Sequence, residues 1–94
     1  MAKTQLKRKE TFELVEPMAC SVQLVGDFTA WQDNPIELKR QKDGVWRATV
    51  PLDPGAHEYR FVVDGRWFTD PNAKVVAPNP FGSENAVLTV DTRG

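Results

Sequence analysis

The chain has 94 residues, 40% hydrophobic and 27% charged, the composition of one ordinary globular domain with a core of modest size. Twelve basic residues against thirteen acidic ones leave a net charge of −1, so nothing favours nucleic acid, which calls for a basic face. A single cysteine, Cys20, excludes an intramolecular disulfide and a cysteine-built metal centre, and no apolar run reaches membrane-spanning length.

Residues 1–10 carry Lys3, Lys7, Arg8 and Lys9 among few apolar residues and are expected to form a flexible, solvated tail. The apolar core of a signal peptide is missing there, so the expected setting is reducing and cytoplasmic, with no membrane partner. From Thr11 a period-two pattern begins, with Phe12 and Leu14 on one face, and it stops at Pro17. Ser21–Val25 repeats it, sending Val22 and Leu24 inward, before Gly26-Asp27 loosens the strand.

Trp31 falls in the polar stretch 31–35, which reads as a loop. It is either a plug over the end of the fold or a platform for a ligand, and its surroundings alone favour the plug. Ile36–Arg40 alternates again, and Asp43-Gly44 marks a hairpin turn into Val45–Val50, which puts Trp46, Ala48 and Val50 on one face. Trp46 is therefore expected in the core or as a partly covered aromatic, with binding the minority reading. Pro51–Gly55 reads as a turn by composition.

The clearest pattern is the run His57–Asn72. Alternation sends Tyr59, Phe61 and Val63 to one face, and Glu58, Arg60 and Val62 to the other. Asp64-Gly65 between apolar flanks predicts a two-residue type I′ hairpin, a turn that needs positive φ at both central positions. The returning strand brings Trp67 back towards Arg60, pairing a cation with a large aromatic. Residues 71–82 are rich in proline, asparagine and glycine and read as loop; Asn85–Val90 is the last strand, and 91–94 are expected to fray. The reading is an all-β chain over residues 11–90, an immunoglobulin-like antiparallel β-sandwich of about seven to eight short strands.

Catalysis is poorly supported. His57 has no nucleophile suggested beside it, Ser21 and Ser83 lie outside any nucleophile-elbow context, and the aspartates mostly occupy turn positions. No metal-ligand spacing is present, and no catalytic residue, metal or cofactor is expected. What the core does not absorb is a set of aromatic and polar residues: Trp31, Arg60, Trp67, Asn72, Asn79, Phe81 and Asn85. Flat aromatics cover the apolar face of a sugar ring while arginine and asparagine serve its hydroxyls. The same residue types dominate protein-interaction hot spots, and composition does not separate the two uses.

The motifs Gly26-Asp-Phe-Thr-Ala-Trp31, Gly44-Val-Trp46, Pro54–Trp67, Asp70-Pro71 and Pro80–Asn85 together resemble carbohydrate-binding module family 48. That family includes the glycogen-binding domain of the AMP-activated protein kinase β subunit and the N-terminal early set domain of isoamylase and branching enzymes. The resemblance runs from about Thr11 to Val90 and keeps the order and approximate spacing of several motifs. It implies a β-sandwich and non-catalytic binding of α-1,4-glucan such as glycogen, starch or maltooligosaccharides. Residue by residue, it implies that Trp31 and Trp67 form an aromatic platform, that Arg60 and Asn85 hold hydroxyls, and that Phe81 wedges against the sugar chain. It also moves Trp31 from plug to platform. Arg60 stands where the kinase-subunit members usually have lysine, and Phe81 where they have leucine. The alternative is a protein-interaction or packing module of the same fold, associated with a glucan-metabolising enzyme or a signalling complex.

Overall fold

Alternation in the sequence becomes strand pairing in the computed structural model, which describes residues 7–91. Nine strands follow in chain order among them: β1 (Arg8–Val15), β2 (Val22–Gly26), β3 (Ile36–Glu37), β4 (Lys39–Arg40), β5 (Val45–Leu52), β6 (Gly55–Val63), β7 (Arg66–Phe68), β8 (Val75–Pro78) and β9 (Glu84–Val90). They form two antiparallel sheets, β1-β5-β4 and β3-β2-β6-β9-β8, with β7 also paired to β6. The inward faces meet in one core. Phe12 and Leu14 of β1 and Trp46, Val50 and Leu52 of β5 pack with Val22 and Leu24 of β2, Tyr59 and Phe61 of β6, and Ala86 and Val90 of β9. The all-β sandwich expected from the sequence is the fold found.

Trp46 is in that core as expected, 7% exposed, with its indole N–H donating to the Glu16 carbonyl at 2.8 Å. The Asp64-Gly65 turn is also as expected: φ is 50° and 85° at the two residues, and Val63 and Arg66 pair across them. Asp64 does more than turn the chain. Its Oδ1 accepts from the Cys20 and Ser21 N–H groups, both at 2.8 Å, tying the hairpin to the entrance of β2.

Besides shifts of a residue at strand ends, four segments differ from the sequence reading. First, β1 begins at Arg8 rather than Thr11, so three residues assigned to the tail are strand, paired with Leu52, Pro51 and Val50. The Lys7 ammonium adds a 3.0 Å bridge to Asp53. Residues 1–6 and 92–94, expected to be tail and frayed end, lie outside the described residues. Second, Pro51-Leu52 extends β5 instead of turning. β4 pairs only with Trp46 and Arg47 there, so a residue without an N–H sits where β5 has a neighbour on one side only. Third, Ile36–Arg40 is not one strand: β3 pairs with β2, β4 pairs with β5, and buried Leu38 between them marks the change of sheet. Fourth, Val75–Pro78, read as loop, forms the edge strand β8 against β9. Its β-branched pair Val75-Val76 satisfies strand geometry in a segment whose prolines and asparagines suggested breaks.

The turn after β7 is fixed from the core. Tyr59 donates its hydroxyl to Asp70 Oδ2 at 2.6 Å, and Asp70 Oδ1 accepts from the Asn72 N–H at 2.9 Å. Burial, then the hydrogen bond to Asp70 and the charge of that carboxylate, hold the Tyr59 phenol well above its ordinary value.

Candidate functional site on the outer sheet face

β6 lies between β2 on one side and β9 and β7 on the other, so its outward residues sit at the middle of the larger sheet. Residues opposite one another in a pair share a face. Val25 lies opposite Arg60, Gln23 and Trp67 both lie opposite Val62, and Val87 lies opposite Glu58. This face has an apolar floor: Val25 is 1% exposed and Val62 8%, although both point away from the main core. Two-sided burial was not legible in the alternation of β2, where only Val22 and Leu24 were expected inside.

Arg60 and Trp67 meet as the hairpin predicted. The guanidinium carbon sits 5.5 Å from the centre of the indole ring, within range of a cation–π attraction. Arg60 Nη2 donates to Thr69 Oγ1 at 3.2 Å, and Thr69 donates on to the Glu84 carbonyl at 2.9 Å. Arg60 Nε is buried without a hydrogen-bond partner. Trp67 remains 41% exposed.

Trp31 approaches the same sheet from the β2 side. The chain leaves β2 through two short 3₁₀ turns, Asp27–Thr29 and Trp31–Asp33, the second of which packs on β2. Ala30 and Trp31 both hold positive φ, 53° and 55°, a conformation that costs L-residues ~1–2 kcal/mol each and clusters at functional positions. Four contacts hold it there. Asp27 accepts from the Glu58 N–H at 2.9 Å and contacts His57 Nδ1 at 3.3 Å. Buried Thr29 accepts from the Gly26 N–H at 2.9 Å, and its hydroxyl lies 2.8 Å from the Trp31 carbonyl oxygen. Gly26 is required for the close approach: a Cβ there would stand 2.6 Å from the Glu58 carbonyl oxygen. His57 is a hydrogen-bonded strand residue, its Nε2 2.8 Å from the Asp53 carbonyl oxygen.

The third part of the site is the loop between β8 and β9. Phe81 stands 90% exposed at its tip. Asn79 shapes the loop, its Oδ1 accepting from the Phe81 N–H at 3.0 Å and the Ser83 N–H at 3.1 Å. Asn79 Nδ2 donates to Asn85 Oδ1 at 3.1 Å, and Asn85 Nδ2 donates to Glu58 Oε1 at 3.0 Å. Asn85 is 8% exposed. With one donor and one acceptor used in these two bonds, its amide keeps one hydrogen and one lone pair outside them.

Of the five residues named from the sequence, Arg60 and Trp67 are thus in direct contact. Asn85 joins them through Glu58 on β6, Phe81 joins through Asn79, and Trp31 stands on its own segment across β2. Sequence reasoning missed the supporting residues Thr29, Glu58 and Thr69. Glu58 alone had a visible signal, since it alternates to the same face as Arg60. The surface also has recesses of about 470 Å³, with Asp27, Phe28 and His57 in its lining, and about 190 Å³, bounded by Tyr59 and Asp70. Neither is lined by any of the five residues, of which Trp67 and Phe81 stand exposed.

A family profile described as the glycogen recognition site of AMP-activated protein kinase matches residues 16–93. The chain belongs to that family. It is 33% identical over 90 residues to Protein PTST homolog 2, chloroplastic, of Arabidopsis thaliana, an alignment covering 95% of this chain and 16% of that protein. It is 39% identical over 88 residues to the 1,4-alpha-glucan branching enzyme GlgB of Lactobacillus acidophilus, covering 88% of this chain and 14% of the enzyme. With 5'-AMP-activated protein kinase subunit beta-1 of Sus scrofa it shares 33% over 69 residues, covering 73% of this chain and 53% of that subunit. The chain therefore spans only a small part of the first two relatives. Among the described residues, no helix is long and apolar enough to cross a membrane.

Proposed function

We propose that this glycogen-recognition family member binds α-1,4-glucan without catalysis, as glycogen, starch or maltooligosaccharide. The observation that carries the reading is the Arg60–Trp67 pair, a cation laid against a half-exposed indole on the outer face of the central strand. Trp67 and Trp31 supply apolar surface for sugar rings, Arg60 and the spare hydrogen of Asn85 supply donors, and Phe81 projects where it can wedge against the glucan. An exposed face suits a polymer, whose ends need not fit a cavity, and it implies weak affinity per site because few groups become fully buried. A reducing, cytoplasmic setting fits the exposed lone thiol of Cys20.

The test is an amide chemical-shift titration with maltoheptaose or β-cyclodextrin. Shifts concentrated at Trp31, Arg60, Trp67, Phe81 and Asn85, including the indole N–H signals, are expected. Silence at millimolar sugar would overturn the reading. It would favour the second one, a module that packs on a glucan-metabolising enzyme or a signalling partner through the same exposed Trp67 and Phe81. That second reading draws on the small share of the first two relatives that this chain spans.

A further inference from the structure

The geometry points to Glu58 as the positioning residue that fixes both the Asn85 amide and the loop carrying Phe81. The inference rests on the glucan-binding reading for its consequence, though not for its geometry. A carboxylate can only accept, so Glu58 Oε1 obliges Asn85 to turn its NH₂ group inward, at 3.0 Å. Asn85 Oδ1 must then face the other way, where it accepts from Asn79 Nδ2 at 3.1 Å. That leaves Asn79 Oδ1 towards the loop, where it receives the Phe81 and Ser83 N–H groups. Backbone N–H groups can only donate. The chain of amides is therefore pinned at both ends, by an acceptor on β6 and by two donors in the loop, and both ends demand the same orientation.

Glu58 is also tied to the other side of the site. Its own N–H donates to Asp27 Oδ2 at 2.9 Å, at the first residue of the segment leading to Trp31. Its carbonyl oxygen lies against Gly26, closely enough to forbid a side chain there. One residue of the central strand thus holds the Trp31 segment through its backbone and the Phe81 loop through its side chain. The remaining hydrogen and lone pair of Asn85 are presented to a sugar in one fixed orientation.

The experiment uses the full chain and two readouts, amide hydrogen exchange without sugar and maltoheptaose affinity by chemical-shift titration. Glu58→Ala is expected to speed exchange at Phe81 and Ser83 about tenfold and to weaken affinity about tenfold, the scale of one lost charge-assisted hydrogen bond. Exchange at Phe61 and Ala86 in the core should stay unchanged. Glu58→Gln keeps a carbonyl acceptor and should restore most of both. Asn79→Ala, which cuts the relay away from β6, should reproduce the loop effect, and adding Glu58→Ala to it should change little further. Unchanged loop exchange in Glu58→Ala overturns the relay, and affinity lost with exchange intact would make Glu58 a direct contact instead. A glutamine variant as impaired as the alanine one would assign the effect to charge and also overturn it. If the wild-type chain fails to bind maltoheptaose, the glucan reading falls while the exchange data still decide the role of Glu58.

Discussion

Trp67→Ala separates what the indole contributes to the fold from what it contributes to the ligand. The ring is 41% exposed and stands across the β6–β7 pair from Val62, which is 8% exposed. About three fifths of the residue is covered, roughly 120 Å² for a side chain of this size, and at ~25 cal/mol per Å² its burial stabilises the fold by ~3 kcal/mol at most. A denatured chain already covers part of that area, which lowers the figure to ~2 kcal/mol, and the lost Arg60 contact adds ~0.5–1 kcal/mol. The expected destabilisation of ~2–3 kcal/mol lowers the melting temperature by roughly 10–20 °C, yet leaves a domain of ordinary stability folded at 25 °C.

The binding loss should be larger in relative terms. Removing a central aromatic anchor costs ~2 kcal/mol or more, about thirtyfold in affinity, enough to move a weak site beyond millimolar sugar. Thermal unfolding and a maltoheptaose titration on the same sample read both effects, with Trp67→Phe as the variant that keeps a ring and recovers part of each. A folded Trp67→Ala chain that binds maltoheptaose with wild-type affinity would remove Trp67 from the site. An unchanged melting temperature would refute the burial argument.

Gly26→Ala should destabilise by ~3 kcal/mol in urea unfolding, because the new Cβ meets the Glu58 carbonyl oxygen at 2.6 Å and Phe28 Cε1 at 2.8 Å. Thr29→Val keeps the shape but removes the acceptor for the Gly26 N–H. It should cost ~2 kcal/mol in the same assay and weaken maltoheptaose binding by releasing the left-handed turn at Trp31. For Tyr59 the folded state favours the neutral phenol, raised above its ordinary 10.0 by burial and then by Asp70. Its contribution to stability is therefore fully present below pH 10.0 and is lost as pH rises beyond it. Tyr59→Phe should abolish that alkaline limb in chemical unfolding while costing ~1–3 kcal/mol at neutral pH, where Asp70 Oδ2 loses its donor.

Strands whose faces differ in polarity could be read directly. Phe12/Leu14, Val22/Leu24 and Tyr59/Phe61 all went where alternation sent them, and Asp64-Gly65 announced its own turn. The misread segments are those where tertiary partners overrule local composition. Pro51 looks like a turn former until β1 supplies a neighbour for it, and Val75–Pro78 looks like loop until β9 offers an edge. Ile36–Arg40 has the period of one strand, and nothing local marks Leu38 as the point where the chain changes sheet. In the site, the Arg60–Trp67 contact followed from a two-residue turn of known geometry. The left-handed backbone at Ala30 and Trp31 did not, since neither residue prefers positive φ and the anchors, Thr29 and Asp27, are ordinary loop residues by type. The Glu58–Asn85–Asn79 relay joins β6 to a loop and strand more than twenty residues further on, so only the assembled sheet brings it together.

Arginine at position 60, where the family resemblance implies lysine, is accounted for by the same assembly. A lysine ammonium is a compact donor that could lie over Trp67 or reach Thr69, and its flexible stem would have to choose. The planar guanidinium does both at once: its carbon lies 5.5 Å from the indole centre while Nη2 donates to Thr69 at 3.2 Å. Thr69 in turn holds the Glu84 carbonyl, immediately before Asn85. The fork therefore links the Trp67 surface to the start of β9, where the amide relay from Glu58 also arrives. Its buried, unpartnered Nε is the cost of that placement, ~1–3 kcal/mol for a desolvated donor, offset by the stacked ring and the bond to Thr69. On the proposed glucan-binding reading, tying the aromatic surface to the start of β9 before the ligand arrives spares the face the entropy of ordering its own side chains.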